Sequence, residues 1–112
     1  ELYNGKAETE KLSSVPPLIC NPELTRETVK FMQEMNIPQL TGQNGTSASA
    51  SEDFALIAEK IPTAFIFLAA GYMDERGEHP AHLPKAVFNE EVCPIGASVL
   101  AHCAARWLEM HA

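Results

Sequence analysis

Two histidines three residues apart stand in the stretch Gly77-Glu78-His79-Pro80-Ala81-His82-Leu83-Pro84. An imidazole can ligate a divalent metal or move a proton near neutral pH. Pro80 and Pro84 each fix a backbone torsion, so both rings hang from a chain with little freedom. The stretch follows the most apolar run in the sequence, Ala64 to Ala70. A loop just past a buried strand is where an open α/β sheet places its chemistry. By spacing alone, such a pair reads first as a turn with exposed histidines and second as a metal site. Ser51-Glu52-Asp53 is another polar cluster, and its simplest reading is a helix cap. Cys20, Cys93 and Cys103 could supply a thiol nucleophile, but Cys93 and Cys103 fall on a predicted helix, where a small thiol needs no function. No G-x-S-x-G elbow surrounds Ser51, which disfavours a serine hydrolase.

The elements that must position these groups are read from composition and periodicity. The chain has 112 residues, 46% apolar and 21% charged, which suits one small domain and excludes wholesale disorder. A net charge of −7 gives no basic surplus for phosphates, so nucleic acid is not an expected partner. No apolar run approaches the roughly 18 residues of a membrane span, and no membrane partner or signal peptide is expected. Three cysteines without close pairing fit a reducing compartment, which points to the cytoplasm. The chain opens on Glu1 rather than methionine, so we expect a processed chain or a piece of a longer one.

Residues 1–14 read as a strand end plus a polar linker, and Val15 to Cys20 as extended chain set by Pro16 and Pro17. Asn21 and Pro22 open a helix whose buried face carries Leu24, Phe31, Met32 and Met35, and Asn36-Ile37-Pro38 ends it. Residues 38–50, rich in Gly, Ser, Thr and Asn, form a flexible loop without phosphate-loop spacing. Ser51 caps a second helix that buries Phe54, Ile57, Ala58 and Ile61 and stops at Pro62. Thr63 to Ala70 reads as a strand buried on both faces of a parallel sheet. Lys85 to Phe88 adds a short extended piece. Asn89-Glu90-Glu91 starts a last helix reaching about Met110, with Val92, Ile95, Val99, Cys103 and Leu108 along one side. His102 and His111 are surface or boundary residues. The order is that of α/β layering, yet a single strand makes no sheet, so the remaining strands are expected outside this chain.

The motifs Ser51-Glu52-Asp53-Phe54-Ala55, Ile61-Pro62-Thr63 through Leu68, Gly71, His82-Leu83-Pro84, Phe88-Asn89-Glu90-Glu91 and Pro94-Ile95-Gly96-Ala97 occur in that order. Together they resemble the C-terminal end of the M20 metallopeptidases, in the branch of N-acyl-amino-acid amidohydrolases such as hippurate hydrolase and aminoacylase-like enzymes. Val15 to Leu24 is similar to the segment by which that family returns from its lid domain. The resemblance implies an α/β class fold: part of an α/β/α catalytic domain of zinc-peptidase type, here three helices around a buried strand. Residues 1–14 would be the end of the lid or a linker, and residues 15–112 the C-terminal part of the catalytic domain. It implies hydrolysis of the amide of N-acyl amino acids or small peptides by a metal-bound water. The metal is divalent, zinc first, with manganese, cobalt or nickel as alternatives. Partners implied are the small N-acyl amino acid substrate, the missing N-terminal half, and a second copy of the parent through the lid.

By the same resemblance His82 is a metal ligand, while His79 lies outside the His-x-Pro pattern. Ser51, Glu52 and Asp53 match a junction bordering the substrate pocket. No catalytic residue is carried over, since the family's adjacent glutamates belong to the absent half and Glu90-Glu91 here is the first turn of a helix. Ala50 before Ser51 and Lys85-Ala86 after Pro84 depart from the family pattern. The isolated chain is expected to be inactive. The alternative is a non-catalytic binding module, a degenerate relative that keeps the fold without the site.

Overall fold

Asn21 acts as the sequence requires. In the computed structural model its side chain accepts hydrogen bonds from the Glu23 and Leu24 amides at 3.0 and 2.9 Å. Helix α1 spans Pro22–Glu34, with proline in the first turn, where a missing N–H costs nothing. The structure describes residues 5–40 and 50–112. Most of the loop expected over residues 38–50 lies outside the described residues, as does the start of the 1–14 segment. Residues 5–14 are exposed and irregular. Helix α2 spans Ala55–Ala58 and helix α3 Cys93–His111. A 3-10 turn at Glu90–Val92, capped by the Asn89 side chain, leads into α3.

Helices α1 and α3 pack together, and apolar burial holds them. Phe31 is 1% exposed and Val99 3%. Fully burying a phenylalanine contributes roughly 2–3 kcal/mol. Glu34 and Arg106 join the same helices, Arg106 Nε donating to Glu34 Oε2 at 2.8 Å, but a solvent-screened ion pair adds little. Packing therefore decides the arrangement and the ion pair trims it. Thr28, buried between the helices, donates its hydroxyl to the Leu24 carbonyl at 2.7 Å.

Two expectations fail locally. Ser51 does not cap α2; the Glu52 carboxylate takes the Phe54 amide at 3.1 Å. The face expected to be buried is half open: Ile57 is 46% exposed and Ile61 57%, whereas Ala55 is fully buried. A four-residue helix has too few turns to impose a 3.6-residue stripe.

The buried strand is also corrected. Thr63 to Ala70 runs without regular structure, and no strand occurs among the described residues. An apolar run supplies the capacity to be a strand, but the strand itself is a ladder of hydrogen bonds to a neighbour. Here the arm is tied only at its ends, Asn21 N–H donating to the Thr63 carbonyl and Asn89 N–H to the Ala70 carbonyl, each at 2.8 Å. Midway, Phe67 is 71% exposed. At Gly96 α3 carries no side chain, and Leu68 fills the space a Cβ would need.

The chain is open rather than folded on itself. Its radius of gyration is 19.1 Å, against about 13 Å for a packed domain of this length. Its accessible surface is 9553 Å², against roughly 6,100 Å² for a packed 12 kDa protein. The buried apolar side chains among the described residues are Phe31, Met32, Ala55 and Val99. Asn21→Ala should weaken the start of α1 by about 1 kcal/mol. Amide exchange at Glu23 and Leu24 would then quicken several-fold, with Val99 unchanged.

Candidate functional site

The loop between Ala70 and Asn89 is built from several local constraints. Its ends meet through the 2.8 Å bond from Asn89 to Ala70. In its first half, Asp74 caps a 3-10 turn at Glu75–Glu78, accepting from the Arg76 amide at 3.0 Å. Arg76 Nε reaches both Asp74 carboxylate oxygens, at 2.9 and 3.1 Å. The Arg76 guanidinium lies 3.6 Å from the centroid of the Tyr72 ring. Gly77 backs onto the Tyr72 carbonyl so closely that a Cβ would overlap it, and its amide donates to the Asp74 carbonyl at 2.9 Å.

The second half is two successive turns. Leu83 N–H donates to the Pro80 carbonyl at 3.3 Å, and Ala86 N–H to the Leu83 carbonyl at 3.0 Å. His82 occupies the third position of the first turn with φ 75°. That conformation suits glycine or asparagine and costs another residue about 1 kcal/mol. His82 is exposed, while His79, in extended backbone, is half-buried. A non-glycine residue held at positive φ is the kind of local strain that collects at working sites.

The other residues singled out in the sequence lie apart from this turn in role. Ser51 and Asp53 are exposed, and Glu52 is engaged as the cap of the Phe54 amide. Open depressions mark the surface of the described residues, two of them near this loop and the start of α1. One, of about 690 Å³, is lined by Tyr72, Arg76, Val87, Phe88, Asn89, Glu90 and Glu91. The other lies between Ile19–Thr63 neighbours, and none of Ser51, Glu52, Asp53 or His82 lines either. The Tyr72–Asp74–Arg76 cluster and the φ of His82 were not foreseen. The signal available was the spacing Tyr72-x-Asp74-x-Arg76-Gly77, an acid and a base flanking a turn glycine.

A structural or catalytic metal needs three or four donors. Among the described residues no three His, Cys, Asp or Glu side chains are placed so that they could hold a metal ion. His82 is thus one donor without companions, and these residues do not by themselves build a metal site. The cysteines are all free. Burial, helped by the Glu34 carboxylate, pushes the Cys103 thiol up, which disfavours it as a nucleophile. No helix of the described residues is long and apolar enough to cross a membrane.

The hydrogen bonds from Arg76 hold the Asp74 carboxyl down to about 2 from its ordinary 3.8. A lowered folded value stabilises the loop above the unfolded value, and that contribution is lost as pH falls through the folded one. The Arg76 Nε–H resonance should therefore persist at pH 4 and collapse near pH 2. In a second test, His82→Gly should relieve the strained φ where His82→Ala keeps it. The Leu83 amide would exchange about five-fold more slowly in the glycine variant than in the alanine one.

Residues 5–106 match the family model described as Peptidase family M20/M25/M40. The chain is 32% identical over 96 residues to IAA-amino acid hydrolase ILR1-like 2 of Arabidopsis thaliana, covering 85% of this chain and 21% of that protein. It is 32% identical over 102 residues to IAA-amino acid hydrolase ILR1-like 6 of the same plant, covering 88% of this chain and 21% of that protein. The chain thus spans about a fifth of the length of the curated relatives it matches. No solved structure matches it significantly.

Proposed function

The chain belongs to peptidase family M20/M25/M40, and from that premise we propose that it is the C-terminal part of the catalytic domain of a metal-dependent amidohydrolase. The substrate class is an N-acyl amino acid or small peptide, cleaved at its amide. Two relatives named as hydrolases of amino acid conjugates support this class.

The observation that carries the reading is His82. It begins the His-x-Pro pattern, it is exposed, and it sits at φ 75°, where a glycine would fold more easily. A residue that a turn does not prefer is well accounted for by a task outside the turn. That task is to offer one imidazole to a divalent metal whose other donors come from outside the described residues. Ser51 and Asp53, exposed beside α2, would border the acyl amino acid, with Glu52 fixing their backbone through its cap. The parent would be a cytoplasmic protein, consistent with free thiols, and would pair with a second copy through a lid.

Two measurements test the reading together. The isolated chain, assayed with zinc, manganese or cobalt on N-acyl amino acids, should show no amide hydrolysis above the metal alone. In the full-length protein His82→Ala should reduce kcat/KM by at least about a thousand-fold with little change in thermal midpoint. Activity of His82→Ala within tenfold of wild type would remove the ligand assignment.

A further inference from the structure

We draw no further inference here: the strongest candidate, the open depression at the start of α1 lined by Cys20, Asn21, Lys60 and Thr63, carries none because the Thr63 hydroxyl, without a hydrogen-bond partner among the described residues, is itself closed off from solvent, and the Asn21 side chain already takes the Glu23 and Leu24 amides that the helix start would offer a ligand.

Discussion

Two asparagines perform the same double task, and the rest of the chain hangs from them. Asn21 caps α1 with its side chain and gives its own amide to Thr63. Asn89 caps the turn into α3 and gives its amide to Ala70. The extended arm from Thr63 to Ala70 is therefore fastened at both ends to the starts of the two long helices. Each bond contributes only about 1 kcal/mol. Their importance is that each joins a helix start to a distant piece of backbone at a defined point. The packing of Phe31 and Met32 of α1 beside Val99 of α3 then closes the frame from the other side.

Local features of this frame were legible in the sequence. Asn21-Pro22 announced α1 and Asn89-Glu90-Glu91 announced α3, because caps act within three residues of themselves. The identity of the family was legible too, since short motifs keep their order whatever the surroundings. The strand was not, because apolar content says what a segment can bury and pairing says whether it is a strand. The Phe54 amide goes to Glu52 and not to Ser51, a choice that cap preference by residue type does not make. The site was half legible. His82 follows from the His-x-Pro register, but no propensity scale would place a histidine at positive φ. Arg76 was passed over because an exposed arginine between acids is common; only the stack on Tyr72 distinguishes it.

The open shape gives a physical account of why so much apolar surface faces solvent. Ile19 is 73% exposed, Phe67 71% and Leu100 66%. Ile19 stands just before α1, Phe67 on the arm and Leu100 on α3. Electrostatics does not offset this exposure. Glu34, His102, Arg106 and Glu109 gather at the far end of the α1–α3 contact. They trim a crossing that packing has set, and only Arg106, 5.7 Å from the centroid of the Phe31 ring, reaches over an apolar side chain. The chain therefore has a well-defined pair of helices and an apolar face that its own buried side chains do not fill.

Gly96 works as a keyway. Leu68 occupies the gap where a side chain would stand on α3. Sliding the helix one turn along its axis would bring Val92 or Leu100 to that spot, and neither leaves room. Only one axial setting of α3 against the arm is allowed. Because Asn89 lies just before α3, that setting also fixes the distance between the two ends of the loop. The span available to the residues from Gly71 to Phe88 is thus gauged by a missing methyl group one turn into a helix.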